Sequence, residues 1–271
     1  YLEALLRVYN RYGRRDNAFK ARIKILVHEI GIETFRAEVE AEWQEVLKVW
    51  QPLDLREVER IARHFAPPPF EALPWQDAGF EAARTADPDF AAWVETNVHP
   101  HKAPGYAIAT ISLKATGETP GDMSADQMDA VADIAEHFSF GELRVTHEQN
   151  LVLPHVKKAD LHTVYTRLKA LGLATPNHGL ITDIIACPGL DYCSLANTRS
   201  IPVAMDLQRR FADIARQRDI GELKIKISGC INACGHHHAG HIGILGVDKR
   251  GEENFQITLG GSGAEDASLG K

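Results

Sequence analysis

The chain reads as an α+β protein, and three features of its sequence lead there. The first fifty residues carry apolar side chains at helical spacing. From Tyr106 to Leu171, short alternating runs are interleaved with two helical stretches. Beyond Pro176, two strand-like runs each end in a cysteine. Strand, helix, strand, strand, helix in that order puts helices on a sheet.

Within residues 1–50, Leu2, Leu5, Leu6 and Tyr9, then Phe35, Val39, Trp43 and Val46, recur every three or four positions. That is the period of a helix with one buried stripe. Gly31 predicts a break in it. A second helix, about Leu55 to Phe65, must stop at Pro67-Pro68-Pro69, because proline cannot continue a helix. Prolines 67, 68, 69, 74 and 88 predict an extended linker over residues 66–89.

Tyr106–Leu113 alternates and is β-branched, as a strand should be. Ser124 with Gln127 predicts a capping box at the start of a helix. Glu142–Thr146 and Asn150–Val156 predict two short strands around the turn Thr146-His147-Glu148-Gln149. A helix over Ala159–Leu171 should end at Gly172. Leu180–Ala186 then predicts a strand delivering Cys187, and Leu223–Ser228 a strand delivering Cys230. Between them Leu195–Arg216 predicts a long helix interrupted near Pro202. His241–Val247 and Phe255–Leu259 close the chain as strands, with Asp248–Asn254 between them as the turn.

Bulk properties exclude several classes. The chain has 271 residues, 44% hydrophobic and 25% charged, the make-up of a globular protein with a core of its own. No apolar run approaches the ~20 residues that span a bilayer, so no membrane role is expected. A net charge of −7 argues against a general nucleic-acid binder. One segment is basic: Arg11, Arg14, Arg15, Lys20, Arg22 and Lys24 face the single acid Asp16 between positions 11 and 24. It reads either as a site for an anionic partner or as a solvated helix face. No signal peptide is visible and both ends read as cut.

The chemistry lies in four cysteines, Cys187 and Cys193 in C-P-G-L-D-Y-C and Cys230 and Cys234 in G-C-I-N-A-C-G. Thiolates are the preferred ligands of iron–sulfur clusters, and four hold a cubane. C-x₃-C sets two sulfurs one helical turn apart or around one tight loop. Gly229 and Gly235 let the backbone approach inorganic sulfide, and Pro188-Gly189 favours a turn after Cys187. Structural zinc is the rival, although C-x₅-C lies outside the usual zinc spacing. Two disulfides fit poorly, since a chain of this size needs no staples. His236, His237, His238 and His241 read as donors to an anionic ligand or as surface groups.

These motifs together resemble the sirohaem-dependent nitrite and sulfite reductases, and most of all the proteobacterial assimilatory sulfite reductase haemoprotein. The resemblance rests on C-x₅-C followed by C-x₃-C with Asn232 inside the second pair. Thr146-His147-Glu148-Gln149-Asn150-Leu151 is similar to a T-x-x-Q-N-L turn, and Gly13–Lys24 is similar to a basic stretch of that family. The resemblance covers nearly the whole chain. It implies a pseudo-twofold repeat whose first half is largely missing here. Residues 1–65 would be the tail of the first sirohaem-binding lobe, 66–89 a linker, 90–175 a ferredoxin-like half-domain and 176–271 a cluster-binding α/β lobe.

The resemblance further implies two cofactors, a [4Fe–4S] cluster and sirohaem. Cys187, Cys193, Cys230 and Cys234 would each ligate one iron, and Cys234 would also be the axial ligand of the sirohaem iron. Asn232 would tune that sulfur. Gln149 and Asn150 would contact the macrocycle edge, and Arg14, Arg15, Lys20 and Arg22 its carboxylates. The implied activity is six-electron reduction of sulfite to sulfide in sulfur assimilation, with nitrite reduction to ammonia as the close alternative. From another class, a non-catalytic zinc or lone-cluster module remains open. Electrons would come from a ferredoxin or a flavoprotein reductase subunit, in the cytoplasm. The Arg and Lys side chains that bind the substrate anion in this family belong mostly to the missing half, so no catalytic residue is expected in this chain.

Overall fold

A computed structural model describes residues 1–265 and 267–271. The chain divides into two compact units, Tyr1–Pro67 and Pro68–Lys271. In the first, helices α1 (Leu2–Tyr12), α2 (Ile23–Ile30) and α3 (Ile32–Val49) enclose Ala4, Val8, Leu26, Phe35, Val39 and Val46. Gly31 breaks the run as its sequence predicts, with φ of +83° between α2 and α3. Residues 13–22 are an additional interruption holding only a short 3₁₀ turn, Ala18–Lys20, capped by the Asn17 side chain. Helix α4 (Leu55–Arg63) buries no side chain.

The second unit begins with helices α5 (Ala78–Ala86) and α6 (Pro88–Asn97). Residues 66–89 are therefore not extended throughout. Asp77 and Asp87 cap the two helices, and Pro88 sits in the first turn of α6, where its lost N–H has no helical partner to miss. Phe80, Phe90 and Trp93 carry these helices into the core.

A four-stranded antiparallel sheet follows, in the order β1 (Val98–Pro100), β2 (Tyr106–Ile111), β4 (Leu151–Lys157), β3 (Arg144–Val145). Helices α7 (Ala125–Phe138) and α8 (Leu161–Ala170) contribute Ile134, Val164 and Leu168 to its hydrophobic face. The capping box Ser124/Gln127 is formed at the start of α7.

The cysteine-bearing sheet has the order β5 (Ile185–Ala186), β6 (Ile225–Ser228), β7 (Ile242–Lys249), β8 (Glu252–Leu259). Its first three strands are parallel and β8 is antiparallel. Helices α9 (Ile201–Arg210) and α10 (Ile214–Ile220) accompany this sheet, and Ala204 of α9 packs with Ile184, Ile225, Ile227 and Ile244.

Three local expectations change here. The strand before Cys187 is two residues long, because residues 177–183 close on themselves through Leu180 N–H to Asn177 O and Asp183 N–H to Leu180 O. No helix runs from Leu195 to Arg216. Residues 195–200 form a loop, and Pro202 opens α9 instead of interrupting it. The final hairpin turns on Arg250 and Gly251 with φ of +62° and +84°, the two left-handed residues of a tight two-residue turn.

Candidate metal centre

Parallel strands β5 and β6 end side by side, each delivering a cysteine. Cys187 follows β5 and its N–H donates to Ile227 O at 3.1 Å; Cys230 follows β6 two residues after Ser228. Two loops then fold against each other. After Cys187, Gly189 at φ +59° turns the chain so that Cys193 N–H reaches Gly189 O at 2.9 Å. Further on, the N–H groups of Asn197 and Thr198 both donate to Gly229 O, at 2.8 and 3.1 Å. The residue immediately before Cys230 is thus tied to the loop that carries Cys193.

Glycine is required at the contact. A Cβ on Gly229 would lie 2.9 Å from Thr198 O and 3.1 Å from Gly189 Cα, and one on Gly235 would lie 2.0 Å from Ile227 O. The Cys230–Cys234 segment takes the loop form of its two sequence options. Ala233 N–H returns to Cys230 O at 3.1 Å, and Ala233 and His236 both hold left-handed φ, +58° and +52°.

All four cysteines are free thiols; Cys187 and Cys230 are buried, Cys193 is half-buried and Cys234 is exposed. Among the described residues, no three cysteine sulfurs lie within 4.8 Å of one another. The buried Cys187 Sγ accepts from Gly229 N–H at 3.0 Å and lies 3.4 Å from Ser200 Oγ. A backbone donor already aimed at a buried sulfur suits a thiolate, and four free thiols fit the donor set of a [4Fe–4S] cluster.

Gln149 and Asn150 are close to this centre in an unexpected way. Gln149 adopts φ +59°, and its side-chain amide donates to Ala186 O at 2.8 Å while its Oε1 accepts Ala186 N–H at 3.0 Å. It acts as a one-residue strand partner for β5, bracketing the peptide just before Cys187. Asn150 is fully buried; it accepts Leu113 N–H at 3.1 Å and donates to Asp183 Oδ1 at 2.9 Å. Both side-chain amides are hydrogen-bonded to protein groups.

The basic residues lie in the first unit. Arg14 pairs with Asp16 at 2.5 Å and with Glu29 at 3.7 Å, and that guanidinium pulls the Asp16 carboxyl down to about 2. Arg15 stacks over Tyr9 at 4.7 Å and bonds Asn10 at 3.0 Å. Lys20 and Arg22 are exposed, as is Asn232 in the second unit.

What the sequence leaves unannounced is an ionic network behind β5. Lys114, with no solvent exposure, donates to Asp183 Oδ1 at 3.1 Å and to Glu148 O at 2.7 Å. Asp183 also accepts Gly179 N–H at 3.0 Å. Glu148 pairs with Lys224 at 2.6 Å and His178 at 3.4 Å. Glu148, His178 and Asp183 bring ligand atoms within 4.8 Å, but two ammonium groups already face these carboxylates, which makes the cluster an ion-pair network. One signal was available: Asp183 is a charge inside the apolar run L-I-T-D-I-I-A.

His178 holds Glu148 far below the usual carboxylate range, with Lys224 assisting, and Glu148 in turn raises His178. A raised histidine contributes stability that is complete below its ordinary value of 6.5 and is lost as pH rises through its folded value. The difference in urea midpoint between the natural chain and His178→Asn should therefore shrink from pH 6 towards pH 9. A constant difference would show that the Glu148–His178 pair carries no such linkage.

Comparison with known proteins agrees with this arrangement. The nitrite and sulphite reductase 4Fe-4S domain matches residues 1–47 and 179–271, and the nitrite/sulfite reductase ferredoxin-like half domain matches residues 99–171. Sulfite reductase [ferredoxin] 2 of Mycolicibacterium paratuberculosis is 30% identical over 99% of this chain and 43% of its own length. The chloroplastic ferredoxin–nitrite reductase of Betula pendula is 27% identical over 99% of this chain and 41% of its own. The solved structure of the Mycobacterium tuberculosis NirA protein superposes with a TM-score of 0.60 and 26% identity, over all of this chain and 44% of that one. The chain thus spans less than half the length of these relatives. With both family domains covering it, the chain belongs to the sirohaem- and [4Fe–4S]-dependent nitrite/sulfite reductase family.

Proposed function

We propose that this chain is the cluster-bearing part of a sulfite reductase of the assimilatory type. The observation that carries the reading is the pair of interlocked cysteine loops at the ends of β5 and β6, joined through Gly229 O. In this reading Cys187, Cys193, Cys230 and Cys234 hold the [4Fe–4S] cluster. Cys234 would also hold the sirohaem iron, with Asn232 tuning its sulfur. The exposed position of Cys234, next to an Ile231 that is 80% exposed, supports a second group seated there. Arg14, Arg15, Lys20 and Arg22 are the candidates for the macrocycle's carboxylates, as charge-assisted pairs. Arg14 would first have to leave Asp16.

When bound, the two groups supply one-electron transfer and an iron site for the anion. The balance is sulfite plus six electrons and seven protons to hydrosulfide and three waters. The chain's own part is to hold and orient. Gln149 fixes the Ala186 peptide, Ile227 O fixes the Cys187 amide, and the network of Lys114 and Asp183 anchors the turn behind them. A ferredoxin is the electron donor that fits the names of the relatives, and a flavoprotein subunit is the alternative. Ferredoxin–nitrite reductases among those relatives keep nitrite, reduced to ammonia, as the second reading for the substrate.

The chain loaded with iron, sulfide and sirohaem should show a Soret band, together with four iron and four acid-labile sulfide beyond the haem iron. A zinc-only or colourless protein would refute the reading. With a reduced dye, the chain alone should turn over little sulfite, because the anion-facing Arg and Lys are expected outside it. Sulfite and nitrite added separately should perturb the Soret band to different extents, and the larger effect identifies the substrate.

A further inference from the structure

Ser200 occupies the position immediately before α9, where a serine side chain normally accepts an N–H from the first turn. It makes no such bond. Its hydroxyl, fully buried, lies instead 3.4 Å from Cys187 Sγ. Gly229 N–H donates to the same sulfur at 3.0 Å. Between the hydroxyl and a neutral thiol either group can donate, but to an ionised, metal-bound sulfur only the hydroxyl can, and such a sulfur is a strong acceptor. Cys187 is thus buried with both a backbone N–H and a hydroxyl at its sulfur, while Cys234 is exposed.

We propose that Ser200 is a positioning residue for the cluster: its hydroxyl donates to the Cys187 thiolate and, with Gly229 N–H, raises the reduction potential of the [4Fe–4S] group. The proposal rests on the reading of the four cysteines as cluster ligands. The couple concerned is the one-electron step from the 2+ to the 1+ cluster, with the electron supplied by a low-potential donor and no bond or proton exchanged. The reduced cluster carries more negative charge on its sulfurs, so a donor to sulfur stabilises it more than the oxidised form.

The test is a potentiometric titration of the full chain, reconstituted with iron and sulfide, with dithionite as reductant and the reduced cluster read by electron paramagnetic resonance. Ser200→Ala should make reduction about tenfold less favourable, about 59 mV more negative for a one-electron couple. Ser200→Thr, which keeps the hydroxyl, should stay near the natural potential. The melting temperature of the cluster-free Ser200→Ala chain should be unchanged, since no helix cap is lost. A loaded Ser200→Ala chain with an unmoved potential overturns the proposal. If Ser200→Ala loads no cluster, loading by Ser200→Thr supports the hydroxyl's role and failure of both variants overturns it. A natural chain that takes up no four-iron cluster would instead refute the ligand reading on which the proposal stands.

Discussion

Cys234→Ser is expected to lose most of the four-iron cluster and to alter the haem spectrum at the same time. Serine offers a hard oxygen where iron in a sulfide cluster prefers a soft thiolate. With three thiolates remaining, iron and acid-labile sulfide should fall well below four per chain. The polypeptide itself should be indifferent. Cys234 is exposed, and substitutions at such positions usually change stability by no more than about 0.5 kcal/mol. The cluster-free variant should therefore melt with the cluster-free natural chain. Cys187→Ser should differ, because its sulfur is buried and accepts the Gly229 N–H. A Cys234→Ser chain whose Soret band matches the natural one would show that this sulfur is not shared between the two groups.

Asp183→Ala should destabilise the second unit by about 3–5 kcal/mol, the usual cost of stranding one member of a buried ion pair. Domain stabilities are about 5–15 kcal/mol in total, so this is a large fraction. Lys114 has no solvent exposure, and without Asp183 it keeps only the Glu148 carbonyl among the described residues. Asn150 and Gly179 N–H lose the same acceptor. Lys114→Met with Asp183→Leu should be less destabilised than Asp183→Ala alone, because no buried charge is left behind. Urea unfolding of the three chains decides it, and a double variant worse than the single would contradict the pair's role. Cluster loading should follow stability, since Asp183 lies four residues before Cys187.

Much of the architecture was legible because it is local. The helical stripe of α1 and α3, the break at Gly31, the capping box of Ser124 and Gln127 and the strand Tyr106–Ile111 each follow from neighbouring residues. The errors have local causes as well. Proline was read as breaking structure at Pro88 and Pro202, but both lie in the first turn of a helix, the one place where a helix accepts it.

By itself, the sequence determined the ligand chemistry: four thiols in two close pairs, with glycines where backbone must pass close, and the family resemblance they carry. It could do so because thiolate affinity and glycine's steric freedom belong to the residue and its immediate neighbours. Only the tertiary structure decided what Gln149, Asn150, Ser200, Lys114 and Asp183 do. Gln149 brackets Ala186, 37 positions away, and Lys114 meets Asp183 across 69. A hydrogen bond or ion pair gains its strength from burial and from a partner brought within about 3 Å. Both are set by how the ends of strands β2, β4 and β5 come together, and the neighbouring residues hint at them only through the charge of Asp183 inside an apolar run.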